Sequence, residues 1–254
     1  IVLEGLPNGD GESGYWQGLV VHGAADRSTW SHVIVRNTSG LDWPKWKLTG
    51  GVTFYKSDVD IRDSILSGTT AEDALNIIHS NYWIEDIQVV NTASDAIDTD
   101  FATGTINGGR FEEIGTLGGG DAVDVSGSKA TIDGTIFESV YDKAISVGEG
   151  SQLTVRNVTI DNVSVGVASK DGSRVDMHNS TIRAARYAGL MAYNKKAEYG
   201  YASLTTNGVR INDTSLIAQV QIGNTLVIDG EQSPGENIDV EALYESVMRP
   251  GIAK

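Results

Sequence analysis

The sequence predicts an all-β solenoid, a single-stranded parallel β-helix of about nine coils with a short C-terminal capping helix. Three observations predict it. The first is a small residue followed by an alternating apolar pair, recurring in one register. It stands at Gly18-Leu19-Val20-Val21, Gly51-Val52-Thr53-Phe54, Ala74-Leu75-Asn76-Ile77, Ala96-Ile97-Asp98-Thr99, Ala122-Val123-Asp124-Val125, Ala144-Ile145-Ser146-Val147, Gly166-Val167-Ala168-Ser169 and Gly189-Leu190-Met191-Ala192. From Gly51 onward the spacings are 23, 22, 26, 22, 22 and 23 residues. A fixed period of that length with strand-type alternation marks a solenoid, whose turns bury apolar side chains only against their neighbours. The second observation is that each repeat holds three short strand-like stretches, which leaves no room for a crossover helix. The third is turn chemistry: 30 glycines against 4 prolines suit a chain that turns sharply several times per repeat.

The elements follow in order around one coil. In the first stretch, period-2 alternation points Leu75/Ile77, Ile97/Thr99, Val123/Val125 and Ile145/Val147 inward. The second stretch runs through Val59-Ile61, Trp83-Ile84, Thr105-Ile106, Thr131-Ile132, Leu153-Val155 and Val175-Met177. The third runs through Ile65-Leu66, Ile87-Val89, Phe111-Ile114, Ile136-Phe137, Val158-Ile160 and Thr181-Ile182. Turn residues separate the first two, as at Ser57-Asp58, Ser80-Asn81, Ser126-Gly127-Ser128 and Lys170-Asp171-Gly172-Ser173. Stacked coils should lie about 4.8 Å apart. Two aromatic loops break the period, Leu41 to Lys47 with Trp43 and Trp46, and Lys195 to Tyr201 after Tyr193. Both are positioned to line a groove or to cover the adjoining sheet. The coils span roughly 16–230 of a single domain, 1–254. In the remaining 231–254, Ile238, Leu243 and Val247 recur at helical spacing behind Asp239, a candidate N-cap. A solenoid end exposes unpaired strand groups, so this segment is expected to cap it.

Composition narrows the partners. A net charge of −15 argues against nucleic acid, which is bound through Lys and Arg. It also makes a polyanionic ligand awkward unless a cation intervenes. With no cysteine, disulfides are excluded. No apolar run reaches the roughly 18 residues of a membrane span, so no membrane insertion is expected. An opening at Ile1 without Met leads to the expectation of a segment excised from a larger protein with upstream domains.

Asp95-Ala96-Ile97-Asp98, Gly120-Asp121-Ala122-Val123-Asp124-Val125-Ser126 and Lys143-Ala144-Ile145-Ser146-Val147 resemble the right-handed parallel β-helix superfamily over about residues 16–230. Its members include pectate-lyase-like enzymes and many secreted or surface bacterial proteins. The resemblance implies the fold and leaves the activity open.

Equivalent positions stack into columns along such a solenoid. The outward positions of the first stretch read Thr53/Tyr55, Asn76/Ile78, Asp98/Asp100, Asp124/Ser126, Ser146/Gly148, Ala168/Lys170 and Met191/Tyr193. Before the small residue stand Asp73, Asp95, Asp121 and Lys143. Like charges on adjacent rungs cost free energy unless cations, lysines or N–H groups compensate. Asn76, Asp98, Asp100 and Asp124 are therefore candidate oxygen ligands for Ca²⁺. Tyr55, Asp98, Asp124 and Tyr193 are candidate ligand contacts. Lys143 and Lys170 are the candidate catalytic bases. The set is similar to β-helical lyases of the chondroitinase-B and alginate-lyase type, which implies calcium held by an Asn and a carboxylate-x-carboxylate pair. This chain departs from them in having Asp for Glu and no neighbouring Arg. For Asp73, Asp95 and Asp121 the other reading is that each accepts backbone N–H groups at the corner. A column of Thr105, Thr131, Thr154, Asp176 and Thr205 is explained by β-propensity. The functional expectation is a secreted or cell-surface module that binds carbohydrate or serves as an adhesive scaffold without catalysis. The alternative is a calcium-assisted lyase of uronic-acid-containing polysaccharide.

Overall fold

The computed structural model describes residues 1–7, 14–43 and 46–248. Pro44 and Lys45 of the first aromatic loop, and residues 249–254 of the expected cap, lie outside the described residues. The chain winds as a parallel β-solenoid. The second stretches stack as one sheet, in parallel from Ser28–Ser31 through Val59–Arg62, Asn81–Glu85, Thr103–Asn107, Lys129–Asp133, Gln152–Arg156, Arg174–His178 and Ser203–Asn207 to Thr225–Ile228. Those nine strands enclose eight full turns among the described residues, close to the expected number.

First and third stretches belong to a 15-stranded sheet that wraps the other side. In three successive coils they fuse into single bent strands, Ile136–Gly148, Thr159–Lys170 and Thr181–Tyr193. The register shifts between Val140 and Lys143 and between Val163 and Val165, which lets the strand turn the corner while its ladder continues. The leading loop is an antiparallel hairpin, Leu41–Trp43 with Trp46–Leu48.

Sharp corners require backbone that most side chains avoid. After the second stretch each coil places at least one residue in the left-handed region: His32, Asp63, Asp86, Gly108, Gly134, Asn157, Asn179, Gly208 and Asp229. Asn, Asp and Gly tolerate that conformation best, which accounts for most of this column. Serines close the corner after the first stretch. Ser57, Ser80, Ser128, Ser151 and Ser173 are buried, and their hydroxyls accept main-chain N–H groups of the preceding coil, as Ser128 N–H to Ser151 Oγ at 2.9 Å. The core is mainly apolar. Leu75, Ile77, Ile97, Thr99, Val123, Val125, Ile145 and Val147 are fully buried, as the alternation predicts. Phe111 stacks on Phe137 with ring centroids 5.1 Å apart.

Capping is divided between two pieces of the last segment. Glu231–Gln232 pairs antiparallel with Thr225–Ile228, and Glu236 bridges to Gln221, so residues 231–236 cover the terminal edge. The short helix Val240–Leu243 and the turn Tyr244–Met248 lie instead against the outward face of the larger sheet. There Leu243, Tyr244, Ile238, Val240 and Val247 pack on Val165, Ala168, Ala188, Met191 and Tyr193.

Candidate active site: a carboxyl and lysine groove

Outside the larger sheet, a groove of about 480 Å³ runs along the solenoid axis from Thr70, Ala71 and Glu72 to Lys170, Lys195 and Tyr244. Asp95, Asp121, Asp124, Asp142 and Lys143 also line it. One wall is the loop Gly115 to Gly120. It accounts for the 26-residue coil in a chain of 22- and 23-residue coils. Gly118 and Gly119 are left-handed, and a Cβ on Gly120 would lie 2.7 Å from the Ser94 carbonyl oxygen. The loop is anchored by Thr116 N–H to Thr92 O at 2.9 Å.

Parallel pairing stacks Asp73 beside Asp95, Asn76 beside Asp98, Ile78 beside Asp100 and Asp98 beside Asp124. Compensation for these charges is uneven. On the C-terminal side, Lys143 is fully buried with Nζ 3.1 Å from Asp121 and 2.5 Å from Asp142. Its ammonium also lies 5.5 Å from the Tyr244 ring centroid. Burial alone would lower the Lys143 pKa, but Asp121 and Asp142 outweigh it and hold the lysine well above its ordinary value. Burial likewise works against ionised Asp121, yet Lys143 and Lys170 bring its carboxyl below the usual range. Lys170 faces Asp124 at 3.9 Å, and that charge raises its pKa against the effect of burial. Both candidate bases are therefore held protonated.

On the N-terminal side, Asp73, Asp95 and Asp98 have no lysine or arginine ion-pair partner among the described residues. Burial raises Asp73 to about 7, despite hydrogen bonds from Thr49 and Asn76. Asp95 and Asp98 are raised well above the carboxylate range, first by burial and then by the neighbouring carboxylates. Asp142 is pushed up to about 6 because burial exceeds the help from Lys143.

The corner reading of the aspartates holds for two of the three. Asp95 Oδ1 accepts the Asp121 N–H at 2.8 Å, and Asp121 Oδ1 accepts the Lys143 N–H at 3.0 Å. Both bonds join successive coils. Asp73 instead accepts from the Asn76 amide at 3.2 Å. The four candidate calcium ligands are neighbours on three adjacent coils. Asn76 Nδ2 occupies the middle of the oxygens, 3.2–3.4 Å from Thr49 Oγ1 and from Oδ2 of Asp73, Asp98 and Asp100. Among the described residues, no three His, Asp or Glu side chains converge on a metal position. Oδ1 of Asn76, Asp98 and Asp124, with Ser146 Oγ, form no hydrogen bond along this column.

The two tyrosines fall outside the groove. Tyr55 is half-buried and stacks on His22 at 5.3 Å. Tyr193 is fully buried beneath the C-terminal segment, with its hydroxyl 2.9 Å from that of Tyr244. Asp142, Lys195, Tyr244 and the Gly115–Gly120 wall were not among the expected site residues. The 26-residue spacing, the Asp142-Lys143 pair and the apolar outward residues Val165, Ala168, Ala188 and Met191 were the signals available for them.

The comparisons agree with the geometry of the fold. Among solved structures, the chain superimposes on pectate lyase pelN from Paenibacillus sp. 0602 with TM-score 0.53 and 10% identity, covering 92% of this chain and 68% of that one. An alginate lyase from Paenibacillus sp. str. FPU-7 gives TM-score 0.41 at 11% identity, covering 84% and 90%. The catalytic domain of a GH87 α-1,3-glucanase gives 0.41 at 10% identity, covering 83% of this chain but only 55% of that domain. No curated protein is a match by sequence. The sequence does match the family described as "Right handed beta helix region" over residues 50–231, and with the coil geometry above, the chain belongs to the right-handed β-helix family.

Proposed function

We propose that this chain binds a polysaccharide along the groove and cleaves it by acid–base chemistry of the groove carboxyls. The observation that carries the reading is a column of adjacent carboxyls lining one groove, of which Asp95 is raised above and Asp121 lowered below the ordinary carboxylate range. Neighbouring carboxyl groups with opposed pKa shifts supply an acid and a base at one pH. Asp95 lines the groove and keeps its proton, so it suits protonation of a glycosidic oxygen. Asp124 lines the same groove on the next coil, with Lys170 Nζ 3.9 Å from its Oδ1, and is the second carboxyl placed to act on a bound chain. Glycosidases use such carboxyl pairs. Elimination through a lysine base is less well supported, because Lys143 and Lys170 are held as cations. The likeness to a pectate lyase supports a polysaccharide ligand, and a secreted or cell-surface location within a larger protein fits that reading.

The test is incubation with polygalacturonate, alginate and α-1,3-glucan, following new reducing ends and unsaturated products separately. Release of reducing ends that is lost in Asp95→Asn and Asp124→Asn is expected. Unsaturated products would support the lyase instead. Binding to an immobilised polysaccharide with no turnover would leave a non-catalytic module.

A further inference from the structure

The C-terminal segment has a role beyond the edge it caps. Its last main-chain attachments to the body are at Glu236, whose N–H donates to Val220 O at 2.8 Å and whose carbonyl accepts from Ile222 N–H at 3.0 Å. Among the described residues beyond that point the main-chain bonds are internal, as from Leu243 N–H to Asp239 O at 3.0 Å and from Tyr244 N–H to Glu241 O and Val240 O, and Asp239 caps the helix through Ala242 N–H. The segment rests on the sheet through side chains: Leu243 in a small apolar cluster, and Tyr244 against Tyr193. Attachment that rests on side-chain packing gives low local stability compared with the ladder beneath. The covered surface is the same outward face that forms the groove floor, continued toward the C-terminus. Its residues are Val165, Ala168, Ala188 and Met191, apolar at positions where earlier coils carry Asp. Lys143 lines this end of the groove but is only 2% exposed, its ammonium lying against the ring of Tyr244.

We propose that residues 237–248 are a hinged lid on the groove, pivoting after Glu236. Closed, the lid stops the groove at Tyr244. Open, it lengthens the binding face over two further coils and uncovers Lys143 and Tyr193. That the added face would receive sugar rings rests on the polysaccharide reading; the gating does not.

The test needs no polysaccharide, so its failure and the failure of that reading are separable. Hydrogen exchange read by mass spectrometry should show residues 237–248 exchanging at least about 100-fold faster than Thr159–Lys170 and Thr181–Tyr193 beneath them. Acylation by a small amine reagent should modify exposed Lys195 readily and Lys143 slowly. The Leu243→Ala/Tyr244→Ala variant should speed Lys143 modification about tenfold while leaving Lys195 nearly unchanged. Exchange of the segment in step with the strands would overturn the lid. So would an unchanged Lys143 rate in a variant that still melts cooperatively. If the variant does not fold, the exchange of the unmodified protein decides.

Discussion

Lys143 is the residue on which the carboxyl cluster turns, because it is buried and meets two carboxylates at once. A buried ion pair is weak evidence of net stabilisation, but removing one partner strands the other. Lys143→Met keeps the apolar stem and deletes the charge, leaving Asp121 and Asp142 to face each other. The expected loss is about 3–5 kcal/mol near neutral pH, read from urea unfolding. The loss should shrink toward pH 5, where Asp142, raised to about 6, takes up a proton. A deficit equal at both pH values would mean that the lysine contributes by packing and not by charge.

At the scale of single elements, the corners set the shape of the coil and carry a measurable cost. The corner within the third stretch is occupied by Asn37, Gly68, Asn91, Glu113, Ser139, Asn162, Ala184 and Asp213, all left-handed. Ala184 has φ 53° and no side-chain group to compensate. A non-glycine residue in this region costs about 1–2 kcal/mol, and glycine removes most of that at some entropic cost. Ala184→Gly should therefore stabilise the chain by about 0.5–1 kcal/mol, seen as a higher melting temperature. A lower one would show that the alanine methyl is worth more than the strain. The same logic explains why Asn37, Asn157, Asn162 and Asn179, each the first residue of an Asn-x-Ser/Thr triplet, occupy left-handed corners.

Over the whole molecule the cluster makes stability depend on pH in an unusual direction. Asp73 is raised from 3.8 to about 7 and Asp142 from 3.8 to about 6, and burial raises Asp95 and Asp98 as well. Above about pH 4 the unfolded chain releases these protons while the folded chain keeps them. Stability then falls as pH rises through the folded values. Asp121, lowered by its lysines, acts in the opposite sense, its contribution being lost as pH falls below the ordinary carboxylate range. Thermal melts should accordingly show a higher midpoint at pH 5.5 than at pH 8. Asp73→Asn/Asp98→Asn should flatten that slope. Calcium offers a second way to neutralise the column, but Asn76 Nδ2 fills its centre. Millimolar Ca²⁺ is expected to leave the pH 8 midpoint unmoved. A rise of several degrees that vanishes in Asp98→Asn would reveal a calcium site formed by rotation of the Asn76 amide.

The sequence by itself determined the coil, because period, alternation and corner residues are local properties repeated down the chain. Leu75, Ile97, Val123 and Ile145 had to face inward at any plausible register, and the Asp column followed from the same arithmetic. What Asp98 or Lys143 does chemically was not legible, since it depends on groups from distant coils and on how much water they retain. Tertiary structure alone decided that Lys143 lies between Asp121 and Asp142 and that Asn76 sits among the carboxyl oxygens. It also decided that Tyr193 is covered by Tyr244, 51 residues away. The C-terminal segment shows the limit most clearly: its helical spacing was visible, but the surface it covers was set by the apolar face left open on two coils. A repeat constrains neighbours about 22 residues apart, and it says nothing about which non-repeating segment folds back over them.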